Sequence, residues 1–454
     1  MKKIIFQIFI LSFAGVMFFL SCKKEPSCEG CINGNKPPIA IAGSDQVIAL
    51  PTDSATLNGS GSIDPDNNIT SYVWTKISGP SSFNIANANV VQTQVNNLVQ
   101  GIYQFELKVL DAGGLSDKDT LQITVDDPNT TVYVLGYEYN GTYVVKKYWK
   151  NGLPIPLSYA DLAGVSGIAV SGSDVYVAAF EVNGTPSVAK YSKNGTLPIA
   201  LTDGSHNAGT TAIAVAGSDV YVAGYENDGA QYSYYDDDSN LVYSNYSRAK
   251  YWKNGTPYIL TDTNHSSSAR DIAIDGGDVY VAGDENGVIK YWKNGNPVTL
   301  TGSSYGTAIG IAISGSDVYV LGYDGNGNSI TGYLIVKIWK NGNPIVFSDG
   351  TQPILVTDIA VSGSDVYVAG SEYNGTNDIG KYWKNGNPVL LSGNIPVAYS
   401  IAVIGSDAYV AGYDHSGISQ NVYGRVAKYW KNGSSVALND GSQWSYTIGI
   451  AVTH

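Results

Sequence analysis

From residue 131 onward, short apolar runs alternate with polar turns, and the whole arrangement repeats. Ile359-Ala360-Val361 leads into a turn, Ser362-Gly363-Ser364-Asp365, and then Val366-Tyr367-Val368. Lys381-Tyr382-Trp383-Lys384-Asn385-Gly386 completes the unit. The Val-Tyr-Val element centres on Tyr133, Tyr176, Tyr221, Tyr280, Tyr319, Tyr367 and Tyr409, at intervals of 39 to 59 residues. Each interval has room for one small antiparallel sheet. Four strands are predicted per unit, the first marked by Ile168, Ile213, Ile272, Ile311, Ile359, Ile401 or Ile450. The Asn-Gly turns suit two-residue hairpins, whose central residues both take positive φ. Tyr, Val, Ile and Trp fill the strands, and no unit carries a helix-length amphipathic pattern.

Four-stranded units of this length predict a seven-bladed β-propeller over residues 131–454. The chain ends straight after a first strand, Ile450-Ala451-Val452, whereas the first repeat begins at Thr131-Val132-Tyr133 with no such strand before it. The turn aspartate accordingly occurs six times, as Asp174, Asp219, Asp278, Asp317, Asp365 and Asp407. The C-terminal strand, 448–452, is therefore expected to pair with 131–136 in a composite first blade, closing the ring without an exposed sheet edge.

Residues 37–127 have a different pattern. Alternating strands at Gln46–Leu50, Ser54–Asn58, Ile69–Ile77, Gly101–Asp111 and Asp117–Val125 predict an Ig-like β-sandwich, so the fold class is all-β. Leu57-Asn58-Gly59-Ser60-Gly61-Ser62-Ile63-Asp64-Pro65-Asp66, followed by Ile69-Thr70-Ser71-Tyr72-Val73-Trp74 and Tyr103-Gln104-Phe105-Glu106-Leu107-Lys108-Val109, resembles a PKD domain. The resemblance implies a spacer or contact module with Trp74 in its core. It also implies calcium as a cofactor to test, with Asp64, Asp66 and Asp111 offering hard oxygen ligands. An Asx turn at Asp64 and Asp66 is the alternative.

At the N-terminus, Lys2-Lys3 precede an apolar run from Ile4 to Leu20 and then Ser21-Cys22. This resembles a bacterial lipoprotein signal, similar to those of the Bacteroidota. It implies a signal peptide over 1–21, lipidation at Cys22, a linker over 22–36 and a membrane anchor. Cys28 and Cys31 in that linker read as a small-loop disulfide or as free thiols. The 454 residues carry a net charge of −13, which argues against nucleic acid as a partner.

A residue present in every blade is explained by what every blade needs, so the recurrent Trp149, Trp252, Trp292, Trp339, Trp383 and Trp430 read as wedges, with Ser192 in the seventh slot. The acids closing each Val-Tyr-Val strand (Glu138, Glu181, Glu226, Glu285 or Asp284, Asp324, Glu372, Asp414) read as turn residues. Function is expected where blades differ. The longest interruption, Gly229–Arg248, carries Tyr232, Tyr234, Tyr235, Asp236 and Asp237. The blade connections carry His206, His265, Tyr305, Tyr399 and Trp444. Aromatics beside carboxylates can stack on sugars while bonding hydroxyls. No histidine spacing indicates zinc, and no nucleophile elbow or phosphate loop stands out.

The expectation is a monomeric, non-catalytic binding or adhesion protein of the bacterial cell envelope, lipid-anchored at the outer membrane. The propeller would be the head for a glycan or protein ligand. The alternatives are a glycosidase or lyase on the same face, or a purely structural envelope component.

Overall fold

The computed structural model describes residues 34–80, 82–99, 101–157, 162–182, 186–235, 241–302, 305–325, 334–350, 353–415, 424–439 and 441–454. Cys22, Cys28, Cys31, Asp236 and Asp237 lie outside the described residues. Every named element is a β-strand, and no helix among the described residues is long and apolar enough to cross a membrane.

The N-terminal sandwich has two sheets. One orders Gln46–Ala49, Ser116–Asp126, Gly101–Asp111 and Ile69–Ser78, and the other pairs Ala55–Asn58 with Gln92–Asn96 and Asn84–Ile85. Gly101–Asp111 alternates buried and accessible residues along its length, as a strand with one packed face must. Tyr103, Phe105, Leu107 and Val109 point inward with Leu57, Val95, Leu121 and Ile123. Trp74 is 2% exposed in this core, and its Nε1 donates to Val90 O at 3.2 Å.

The remaining chain forms seven four-stranded antiparallel sheets. Their inner strands are Ser445–Thr453 in blade 1, then Leu162–Ser171, Ala208–Ala216, Ser267–Asp275, Thr307–Ser314, Ile354–Ser362 and Val397–Ile404 in blades 2 to 7. Each inner strand packs on the next, and Val397–Ile404 packs on Ser445–Thr453, so the ring is closed. Blade 1 is composite: Ser445–Thr453 pairs with Thr131–Tyr139, with Ile450 opposite Val134 and Thr453 opposite Thr131. The pairing reaches beyond 448–452, back to Ser445 opposite Glu138.

Local chemistry explains the blades. Asn385 and Gly386 take φ of 51° and 80°, the left-handed pair a two-residue hairpin requires. Gly370 closes the second strand because a Cβ there would lie 2.1 Å from Leu355 O. Each tryptophan is a wedge driven into the preceding blade. Trp252 packs among Tyr176, Tyr191 and Leu201 of blade 2, and Trp292 among Tyr221, Tyr251 and Leu260 of blade 3. Ser192 occupies the seventh slot, 1% exposed, with a buried Oγ that has no hydrogen-bond partner.

Candidate functional site: the propeller channel and its mouth

The invariant positions of the repeat are consumed in holding the blades. In blade 4, Asn294 Nδ2 donates to Asp278 at 2.7 Å while Asn294 Oδ1 accepts Val279 N at 2.8 Å. Lys293 reaches the same aspartate at 2.8 Å and lies 5.1 Å from the Tyr280 ring centroid. Lys293 and Asn294 hold the Asp278 carboxyl below the usual carboxylate range. The same set recurs at Asp174, Asp219, Asp317, Asp365 and Asp407.

At the opposite end of each blade, the acid closing the second strand pairs with the first lysine of Lys-Tyr-Trp-Lys. Glu226 meets Lys250 at 2.6 Å, Asp324 meets Lys337 at 2.6 Å and Asp414 meets Lys428 at 2.8 Å. Glu138, Glu181, Glu285 and Glu372 pair with Lys147, Lys190, Lys290 and Lys381. These acids are cross-strand ion-pair partners rather than simple turn residues, and in blade 4 the position belongs to Glu285, not Asp284.

Variation appears instead on the inner strands. Every inner strand carries a β-bulge at one level: Val165/Gly167, Thr210/Ala212, Ala269/Asp271, Ala308/Gly310, Val356/Asp358, Ala398/Ser400 and Thr447/Gly449. A bulge frees one residue from the ladder and re-aims its side chain. The seven freed residues are Ser166, Thr211, Arg270, Ile309, Thr357, Tyr399 and Ile448, and all line one central cavity of about 250 Å³. The residues that follow are Gly167, Ala212, Asp271, Gly310, Asp358, Ser400 and Gly449. The fold thus supplies two adjacent rings of seven positions whose residue types differ from blade to blade.

Two of these positions are acidic. Asp271 accepts Ile272 N and Ile311 N, each at 2.8 Å. Asp358 accepts Ile359 N at 2.7 Å, Ile401 N at 2.9 Å and Ser400 Oγ at 2.8 Å. Each carboxylate therefore staples its own blade to the next. They stand on either side of Gly310, where a Cβ would lie 3.4 Å from Asp271 Oδ2 and 3.6 Å from Asp358 Oδ1. Both reach solvent only through the channel. This enclosure pushes the Asp271 carboxyl up to about 7, with the Asp358 charge adding to the rise. Burial likewise pushes Asp358 up to about 6 against its backbone and Ser400 hydrogen bonds.

Arg270 joins the channel to the surface. It lines the central cavity and a groove of about 490 Å³ with Ser268, Asp284, Asn286, Tyr305 and Thr307. A third hollow of about 370 Å³ lies between Arg270, Thr307, Thr357 and Tyr399. Arg270 Nη2 donates to Asp284 Oδ1 at 3.3 Å. Burial raises the Asp284 carboxyl, and the Arg270 charge opposes that rise. Asp284 takes the place of Tyr137, Tyr225, Tyr323 and Tyr413 in other blades, so the charged pair is peculiar to blade 4.

The sequence-based candidates divide into groups. Tyr305, 77% exposed, and Tyr399 lie on the mouth. His265 lies near it, its Nδ1 3.7 Å from Asp262, and with Glu285 these two place one ligand atom each within 4.8 Å of one another. His206 is exposed and contacts Ser205 Oγ at 3.0 Å. Trp444 stacks between Tyr139 and Tyr446, so its faces are taken by the ring seam. Tyr232 stacks on Tyr246 at 4.5 Å, and the insertion forms its own hairpin, Gln231–Tyr235 with Leu241–Asn245, which carries Tyr234 and Tyr235.

In the sandwich, Asp64 Oδ1 accepts Asp66 N at 2.6 Å, which is the Asx turn. Asp66 Oδ2 accepts Lys36 N at 2.6 Å, and Asp111 accepts Leu115 N and Asn35 Nδ2. Asp64 Oδ2 and Asn68 Oδ1 are buried oxygens without a hydrogen-bond partner. These two orphaned acceptors fit a hard cation, with Asp64, Asn68 and Asp111 as its ligands.

Sequence reasoning missed Arg270, Asp271 and Asp358. The signal was the pair of residues before each Ile-Ala-Val or Ile-Ala-Ile: Ser-Gly, Thr-Ala, Arg-Asp, Ile-Gly, Thr-Asp, Tyr-Ser and Ile-Gly. These columns vary inside a constant frame, but only the bulges reveal that they meet.

The fold and site define a two-part protein, a PKD-type sandwich followed by a seven-bladed propeller with an elaborated channel. Residues 42–125 match the family of KIAA0319-like PKD domains. Human dyslexia-associated protein KIAA0319 is 40% identical over 97 residues, 21% of this chain and 9% of that protein. The chain therefore spans about a tenth of that relative's length. The solution structure of the PKD domain from KIAA 1837 protein is 37% identical and covers 22% of this chain and 94% of its own, with a TM-score of 0.20. TolB from Acinetobacter baumannii is 9% identical and covers 90% of this chain and 96% of its own, with a TM-score of 0.35.

Proposed function

We propose that this is a non-catalytic binding protein of the bacterial cell envelope, with the PKD domain as spacer and the propeller as head. The ligand, a glycan or a protein, is taken at the channel mouth around Arg270, Tyr305 and Tyr399. Lipidation at Cys22 would anchor the chain to the outer membrane. The carrying observation is that the seven bulge residues differ in size, charge and polarity while facing one cavity. A purely structural ring has no need of that diversity at equivalent positions. Tyr305 presents an exposed ring beside the Arg270–Asp284 pair, which suits stacking on an apolar face while bonding to hydroxyl or carboxyl groups.

The enzymatic alternative would rest on Asp271 and Asp358. Each of their four oxygens already accepts a main-chain N–H, which favours binding over proton transfer. Glycan arrays and envelope pull-downs with the full chain test the proposal. Capture is expected in the native protein and in a 229–248 deletion, and is lost in Arg270→Ala and Tyr305→Ala. Capture indifferent to both substitutions would reject the mouth as the site. Polysaccharide turnover lost in Asp271→Asn would favour the enzyme.

A further inference from the structure

The channel contains a built-in demonstration of how it holds a carboxylate. In each blade a two-residue turn joins the inner strand to the second, as between Ser314 and Asp317. Hydrogen-bonded and non-hydrogen-bonded pairs then alternate outward from that turn. Ile311 opposite Val320 falls on a non-bonded pair, so its N–H points away from the second strand and into the channel. The hydrogen bonds agree, because Ile272, Ile311, Ile359 and Ile401 all donate to channel aspartates. The same register holds for Ile168 opposite Val177, Ile213 opposite Val222 and Ile450 opposite Val134. Their N–H groups therefore face the channel too.

Blades 1, 2 and 3 differ in what stands beside those donors. Where blades 4 and 6 have Asp271 and Asp358, they have Gly449, Gly167 and Ala212. A Cβ at Gly167 would lie 3.3 Å from Ile213 N, and one at Gly449 would lie 3.9 Å from Ile168 N. The Gly167 seam is thus the geometric counterpart of the Asp271 seam without the side chain. Ser166 and Thr211 flank it on the bulge ring, and Arg270 supplies positive charge at the mouth.

We propose that the Gly167 seam is a carboxylate-binding subsite. A ligand carboxylate there accepts Ile168 N–H and Ile213 N–H, as Asp271 accepts Ile272 and Ile311. This rests on the channel mouth being the binding face and adds the class of ligand: one bearing a free carboxylate, as a small organic acid or as an acidic group of a larger molecule.

The test uses the full chain labelled with ¹⁵N-isoleucine and titrated with acetate, with acetamide as the neutral isostere. Acetate is expected to shift the Ile168 and Ile213 amide signals downfield, and acetamide to bind at least tenfold more weakly. Glucuronate moving the same signals, with glucose inert, would place the carboxylate on a sugar. Gly167→Asp is expected to abolish acetate binding, since its own carboxylate then meets Ile213 N. Acetate that leaves every isoleucine amide unmoved, or that binds Gly167→Asp as well as the native chain, overturns the assignment. Failure of glycan or protein capture leaves this outcome readable, because acetate needs neither.

Discussion

Trp444 stacks on Tyr139 across the seam where the ring closes, with centroids 6.0 Å apart and planes 7° from parallel. Tyr446 repeats the contact on Tyr137 at 4.9 Å and 19°. These rings join the last strand of the chain to the first strand of the propeller, residues some 300 positions apart. The contact belongs to tertiary packing: it spends the faces of Trp444 on closure rather than on ligand.

Removal of residues 445–454 follows from that relationship. The deletion strips the inner strand from blade 1 and uncovers Val134, Leu135 and the face of Trp149. A loss of more than about 4 kcal/mol is expected, because a whole buried strand is missing rather than one side chain. Chemical denaturation checks it, and an unchanged midpoint would contradict closure.

The tryptophan wedges and Ser192 predict opposite effects. Trp292→Ala should cost about 3–5 kcal/mol, because a large buried ring is replaced by a cavity. Ser192→Ala should be neutral or stabilising by up to about 1 kcal/mol, since the hydroxyl is buried without a partner. Denaturation midpoints of the two variants measure both.

The channel acids predict a pH dependence. Asp271 and Asp358 face each other, Ser400 and Arg270 across the cavity. Their folded-state values, about 7 and about 6, lie above the ordinary 3.8. The folded protein therefore holds protons that the unfolded chain has released. That contribution to stability is fully present below 3.8 and is lost as pH rises through about 6 and 7. Melting midpoints from pH 4 to 8 should fall less in the Asp271→Asn, Asp358→Asn double variant than in the native protein. Parallel profiles would contradict the assignment.

Calcium has its own test in the sandwich. Asp64 Oδ2 and Asn68 Oδ1 lack hydrogen-bond partners. Millimolar calcium is expected to raise the melting midpoint relative to chelator, and Asp64→Ala to remove the shift. Calorimetry with identical midpoints in both buffers would show that the Asx turn is the whole role of Asp64.

Much of the fold was legible because repetition isolates structural demands. Asn385-Gly386 declared its hairpin, Trp383 its wedge, and Ile450-Ala451-Val452 the strand that closes blade 1. The site was less legible for a physical reason. A bulge is set by how an inner strand bends around a narrow axis, and nothing local in Arg270-Asp271 or Thr357-Asp358 marks one. The pairing of Glu285 with Lys290 rather than solvent was hidden in the same way.

By itself, then, the chain's period and turn chemistry determined two all-β units and a closed ring, because alternation, left-handed turn residues and a split repeat act through near neighbours. Which side chains meet was decided only by closure. Curling seven sheets around one axis brought Ser166 to Ile448 to a common cavity and set Asp271 and Asp358 on either side of Gly310. It also turned the backbone donors of Ile168 and Ile213 toward glycine instead of carboxylate. Those relations depend on distances between blades, which no stretch of sequence contains.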